Sequence, residues 1–313
     1  MEHKQFDIRQ KNQYLQIFAG VEDKNIKMIE SLHQVDIFYN TEMIDIKGKQ
    51  VNDAYRLVKT LFEVIDRYKT LDTFDIPKIN DAVLQNKEDL FLDALGQVVA
   101  RTYNGKPIRP KTLGQKFFID DMLNHDLTFA IGPAGTGKTF LAICVAVELL
   151  KKGDIKKIIL TRPAVEAGEN LGFLPGDLKE KVDPYLRPLY DALDEMLSSE
   201  RTERFIEKGV IEIAPLAYMR GRTLDDAVVI LDEAQNATTS QMLMFLTRLG
   251  RNSKMIVTGD LTQTDLLKKQ ESGLKVSIDR LSHIKGISFV QLNHSDVVRH
   301  PLVIQILKAF EGE

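Results

Sequence analysis

The 313-residue chain has one cysteine, Cys144, and no tryptophan. A lone thiol cannot close an internal disulfide, which excludes a disulfide-stapled scaffold and points to a reducing compartment. Long apolar runs are also missing. The richest stretch, Thr139 to Leu150, contains Glu148 and is followed by Lys151 and Lys152, short of the roughly 18 uncharged residues that a spanning helix needs. The opening MEHKQFDIRQ carries charge where a secretory leader needs an apolar core, so a cytoplasmic protein without a membrane segment is expected. A basic excess is missing as well. Lys and Arg number 42 against 45 for Asp and Glu, giving a net charge of −3, and any nucleic-acid surface must therefore be a local patch.

What is present is ordinary globular material, 43% hydrophobic and 28% charged, long enough for two domains. Residues 1–70 read as a small α+β domain: a strand near Leu15 to Phe18, a helix over Asn25 to Leu32, strands at Val35 to Tyr39 and Met43 to Ile46, and a helix over Asn52 to Ile65. Residues 71–110 read as a helical linker, with turns broken at Pro77. From 111 to 313, apolar β-branched runs alternate with helical patterns: Leu127 to Ile131, Lys157 to Thr161, Val210 to Ala214, Val228 to Leu231, Met255 to Thr258 and Ile287 to Gln291. That alternation predicts an α/β fold, a parallel sheet covered by helices on both faces.

The decisive segment is Gly132, Pro133, Ala134, Gly135, Thr136, Gly137, Lys138 and Thr139, a G-x-x-x-x-G-K-[ST] run between an apolar strand and a helix-forming run. Its glycines let successive amides face one anion, and the following helix adds its positive end. Lys138 suits the β and γ phosphates of a nucleotide, and the Thr139 hydroxyl suits Mg²⁺. A buried strand ending in Asp232-Glu233 supplies a second metal-holding group, Asp232, and a carboxylate to polarise water, Glu233. Gln263, three residues after Asp260, is a candidate reader of the terminal phosphate, and Gln115, shortly before the loop strand, resembles in its position the glutamine that superfamily-1 helicases and their relatives set on the adenine edge, which implies that role for it. A transition-state cation is sought among Arg162, Arg220, Arg222 and Arg299, with Arg299 ranked first. His33, His125, His283 and His294 lack metal-ligand spacing, and no zinc site is expected.

The P-loop segment, the run Thr161-Arg-Pro-Ala-Val-Glu-Ala-Gly-Glu-Asn-Leu-Gly-Phe-Leu-Pro-Gly176, Tyr218-Met-Arg-Gly-Arg-Thr223 and Leu231-Asp-Glu-Ala-Gln-Asn236 together resemble the PhoH family of bacterial ATPases. The resemblance covers about Arg101 to Glu313. It implies a RecA-like P-loop core related to superfamily-1 helicases, cytoplasmic ATP hydrolysis with Mg²⁺, and RNA-linked work. It further implies ribosomal RNA processing beside a metal-dependent endoribonuclease, and a homo-oligomer, hexameric ring included. The leading domain is similar to a KH domain in element order and in Ile44-Asp-Ile-Lys-Gly48, but no Gly-x-x-Gly lies between Gly20 and Val35. The basic residues Arg101, Lys106, Arg109, Lys111 and Lys116 form a second phosphate-contacting candidate. Two functions stand: an ATPase that remodels RNA or ribonucleoprotein, and an ATP-gated adaptor for an RNA-processing nuclease without unwinding. A small-molecule kinase has only the fold-level analogy.

Overall fold

The computed structural model describes residues 2–163, 178–266, 270–298 and residues 302, 303, 306 and 309, with side chains 178–185 outside the described set. The run 164–177, which holds most of the family-specific motif, and Arg299 lie outside the described residues. The chain divides into two compact units, one of residues 1–96 and 300–313 and the other of residues 97–299.

The first unit is built from β1 (Glu2–Asp7), α1 (Leu15–Ala19), α2 (Lys24–His33), β2 (Val35–Tyr39), β3 (Met43–Gly48), α3 (Val51–Tyr68), α4 (Ile76–Leu84) and α5 (Glu88–Gly96). Its antiparallel sheet runs β1-β3-β2. The α3 stripe, including Ala54, Leu57, Val58, Leu61, Phe62 and Ile65, is buried, as its three-and-four spacing requires. Phe62 packs on Phe18 with ring centroids 4.8 Å apart.

Two expectations need correcting here. Leu15 to Phe18 is helical, not a strand: four residues are too few to separate the two periods, and what decides is that Phe18 and Ala19 turn into the core together. The strand is instead the charged β1, which pairs with β3 from Glu2↔Gly48 to Asp7↔Met43 and keeps almost all its side chains at the surface. Pro77 does not break a helix either. It sits in the first turn of α4, where its missing N–H costs nothing.

The second unit contains the short β4 (Ala100–Arg101) and β5 (Pro107–Ile108), then α6 (Leu113–Asn124), β6 (Leu127–Ile131), α7 (Lys138–Lys152), β7 (Lys157–Arg162), α8 (Leu178–Leu197), α9 (Ser199–Glu207), β8 (Ile211–Pro215), β9 (Ala227–Leu231), α10 (Thr239–Leu246), β10 (Lys254–Gly259), α11 (Gly273–Leu281) and β11 (Ile287–Gln291). Six parallel strands lie in the order β11-β6-β10-β9-β7-β8. One face packs Phe118, Leu141 and Leu189 from α6, α7 and α8. The other packs Met242, Phe245 and Leu274 from α10 and α11. This is the parallel sheet covered on both faces that the alternation predicts, and the RecA-like core that the resemblance implies. Cys144 is buried beside the Met196 thioether, 3.5 Å away, and burial pushes its thiol up to about 12, so it acts as a small hydrophobe. Among the described residues no helix is long and apolar enough to cross a membrane.

The start of α6 depends on a glycine. A β-carbon on Gly114 would stand 2.5 Å from Asp296 Oδ1. Asp296 cannot yield easily, since it is buried and its Oδ2 accepts from the Asn293 amide at 2.8 Å. Alanine improves helix propensity by about 1 kcal/mol, but overpacking costs about 1–3 kcal/mol and should win. Gly114→Ala is therefore expected to lower the melting temperature by several degrees, measured by circular dichroism; an unchanged or raised value would show that the contact relaxes at no cost.

Candidate active site at the carboxyl edge of the sheet

The order of the strands decides which residues meet. β10 lies between β6, which feeds the glycine-rich loop, and β9, which ends in Asp232-Glu233. Thr161 is level with Leu231, and Leu231 with Val257. One residue further on, Arg162, Asp232 and Thr258 therefore stand in a row across three adjacent strands, on the face that carries α7. Asp232 Oδ1 accepts from the hydroxyls of Thr139 at 2.6 Å and Thr258 at 2.7 Å. Asp232 Oδ2 accepts from Arg162 Nε at 2.8 Å and from its Nη2. The side chain of Asp232 is only 3% exposed.

The loop itself is turned inside out relative to ordinary backbone. Its carbonyls are taken by protein donors: Gly132 O and Pro133 O accept from Lys138 Nζ at 2.6 and 2.9 Å, Gly135 O from the Val298 amide at 2.9 Å, and Thr136 O from Gln115 Nε2 at 3.0 Å. The amides of Ala134, Gly135, Thr136 and Gly137 have no protein acceptor among the described residues. Gly135 and Gly137 adopt φ of +86° and +79°, which glycine reaches without strain. A cluster of amides without protein acceptors at a helix start is a cradle for an anion.

Glu233 adopts the left-handed φ of +54°, costly for a side chain of this size, and its carboxylate is held by Gln235 Nε2 at 2.6 Å. Gln235 accepts from the Asp260 amide at 3.0 Å, so the ends of β9 and β10 are tied together. Asp260 accepts from Thr262 and from Gln263 Nε2, the latter at 2.8 Å. A pocket of about 470 Å³ opens onto Lys138, Thr139, Arg162, Asp232, Glu233 and Gln263. Gln115, by contrast, is buried against the loop; its carboxamide accepts from the Lys111 amide at 2.7 Å as well as donating to Thr136. Of the other arginines, Arg222 is paired with Glu212 at 2.6 Å and Arg220 is exposed. Among the described residues no group of three or more His, Cys, Asp and Glu side chains is placed to hold a metal ion.

Sequence reasoning passed over Thr258 and Gln235. The signal for Thr258 was a hydroxyl within the aliphatic run Met255-Ile-Val-Thr258, but only the register shows which carboxylate it serves.

A phosphate-type loop at the end of β6, with an Asp-Glu strand two places away in a six-stranded parallel sheet, defines the RecA-like P-loop class of nucleotide-binding proteins. The comparisons narrow this. The profile of the PhoH-like protein family matches residues 107–311. The chain belongs to that family. It is 52% identical over 296 residues to a PhoH-like protein of Bacillus subtilis (strain 168), covering 94% of this chain and 93% of the relative. It is 46% identical over 299 residues to a PhoH-like protein of Mycobacterium bovis, covering 93% and 83%. Among solved structures, the UvsW helicase of bacteriophage T4 is a loose likeness, with a TM-score of 0.38, 11% identity, and 75% and 78% of the two chains covered.

Proposed function

We propose that the protein binds ATP with Mg²⁺ at the loop and hydrolyses it, and that hydrolysis is coupled to remodelling of RNA or ribonucleoprotein in the cytoplasm. The observation that carries the first part is the pairing of outward-bonded carbonyls and unpaired amides in the loop with the Thr139–Asp232 contact beside it. A hydroxyl and a buried carboxylate 2.6 Å apart form a hard-oxygen donor set that fits Mg²⁺, which keeps several waters. When bound, the metal neutralises charge on the β and γ phosphate oxygens.

The chain's own residues divide the remaining work. The amides of 134–137 hold the phosphates. Lys138 exchanges the carbonyls of Gly132 and Pro133 for phosphate oxygens, a better partner for an ammonium. Thr139 and Asp232 hold the metal. Glu233, on its strained backbone, orients the attacking water. Gln263, held by Asp260, reads the terminal phosphate, and Gln115, which fixes the loop through Thr136, remains the proposed adenine reader. Arg299 remains the proposed transition-state cation.

Lys138→Ala is expected to lower phosphate release from ATP by at least about 100-fold, in line with the loss of a principal phosphate-clamping charge. Phosphate release equal to that of the unmodified protein would remove the ATPase reading.

RNA coupling rests on family membership and on the first unit. Its order β1-α1-α2-β2-β3-α3 supports a KH-like module, but the turn between α1 and α2 is Gly20-Val-Glu-Asp23, with carboxylates where a phosphate clamp would need amides or cations. The basic residues Arg101, Lys106 and Lys111 are the better candidates, Lys116 being paired with Asp120 at 2.7 Å. The adaptor reading, with an endoribonuclease as partner, is favoured by one observation: the described residues hold a single parallel sheet with one such loop. A strand-displacement assay separates the two readings, and light-scattering mass with and without ATP tests ring assembly.

A further inference from the structure

Asp232 is the most heavily bonded carboxylate of the pocket. Two hydroxyls occupy Oδ1, from Thr139 and Thr258, while Oδ2 receives two donors from one guanidinium, Arg162. The same guanidinium lies 3.7 Å from Glu233 Oε1 and is 16% exposed, so one cation faces both members of the Asp-Glu pair. Two adjacent carboxylates, one of them buried, repel each other and lose hydration; a guanidinium between them offsets both penalties. A divalent cation bound at Asp232 would draw on the same negative charge, and two cations on one carboxylate repel.

We propose that Arg162 is an internal counter-ion that occupies Asp232 in the nucleotide-free protein and gives way when a divalent cation and a triphosphate enter together. The inference rests on the reading of the loop as an ATP·Mg²⁺ site. Arg162 lines the same pocket as Lys138 and Thr139, so the incoming triphosphate offers its guanidinium another anion. A divalent cation alone has to displace Arg162 from Asp232 without bringing the guanidinium a new anion, and binds weakly. With the triphosphate present it binds tightly, and the dependence is reciprocal. The acidic pair thereby stays shielded until nucleotide and metal arrive as a unit. Arg162 is a positioning residue in this scheme, since it acts on the metal site through Asp232.

Mn²⁺ titrated into the full chain, with the unbound ion followed by electron paramagnetic resonance, tests this with and without a non-hydrolysable ATP analogue. In Arg162→Gln, Mn²⁺ alone is expected to bind about tenfold tighter than in the unmodified protein, and the gain from adding the analogue to shrink by the same factor, a coupling of ordinary size. Arg162→Lys, which keeps the charge but loses the two-donor edge, should fall between. A merely structural ion pair would lower the melting temperature without tightening Mn²⁺; unchanged or weaker Mn²⁺ binding in folded Arg162→Gln overturns the proposal. Should neither variant fold, a structure of the unmodified protein with Mg²⁺ and the analogue decides. Arg162 Nε beyond about 3.5 Å from Asp232 supports the proposal, and an intact bond overturns it. Absence of analogue binding to the unmodified protein would instead remove the nucleotide reading beneath it.

Discussion

Glu233→Gln is expected to slow ATP turnover by about 100- to 10,000-fold, the usual contribution of a positioned general base, while ATP stays bound. The substitution keeps size and shape, and among the described residues it puts at risk the Gln235 contact at 2.6 Å and the ion pair with Arg162 at 3.7 Å. What it removes is the negative charge and basicity of a carboxylate that stands half-exposed at the pocket, 47% accessible, where water can reach it. Asp232, one residue earlier, cannot take over the task, because its oxygens are already engaged by Thr139, Thr258 and Arg162. Single-turnover phosphate release beside a fluorescent-nucleotide titration separates chemistry from binding. Turnover within about threefold of the unmodified protein would assign the water-activating task elsewhere.

Gly132→Ala is expected to abolish nucleotide binding by displacing the loop that holds the phosphates. A β-carbon there would lie 2.3 Å from the Leu292 carbonyl oxygen and 2.8 Å from the Leu292 β-carbon. Leu292 is not free to retreat, because its amide donates to Ile131 O at 2.7 Å. Since the neighbour is backbone, the loop must move, and overpacking of this kind costs about 1–3 kcal/mol or more. Gly153→Ala is the control. Gly153 ends α7 with φ of +80°, and a β-carbon there would meet nothing within 4 Å, so the substitution brings backbone strain of about 1–2 kcal/mol without touching the loop. Calorimetric titration with ATP should show no heat for Gly132→Ala and near-normal binding for Gly153→Ala. Equal binding by both would mean that the close approach to Leu292 is not what shapes the cradle.

Much of this site was legible because its chemistry is local in sequence. The loop and the Asp-Glu pair each lie within a few consecutive residues, and apolar runs around them name the strands. The partnership of Arg162, Asp232 and Thr258 was not legible: it spans 96 positions and exists only because β7, β9 and β10 are neighbours in a particular register. Gln115 shows the same limit. Its place before β6 fits an adenine reader, yet its engagement with Thr136 and Lys111 depends on how α6 packs against the loop. In the first unit, β1 was hidden because an edge strand with exposed side chains shows little hydrophobic alternation, and α1 because five residues hold barely more than one turn.

Everything proposed for the site turns on amides 134–137 gripping a triphosphate beside a divalent cation held by Thr139 and Asp232. A crystal structure with a non-hydrolysable ATP analogue and Mn²⁺, read by anomalous scattering, tests this most directly. The expected result is a manganese peak next to Thr139 Oγ1 on the Asp232 side, with the triphosphate wrapped by the loop. A manganese peak elsewhere, or a loop whose amides face no phosphate, would contradict it.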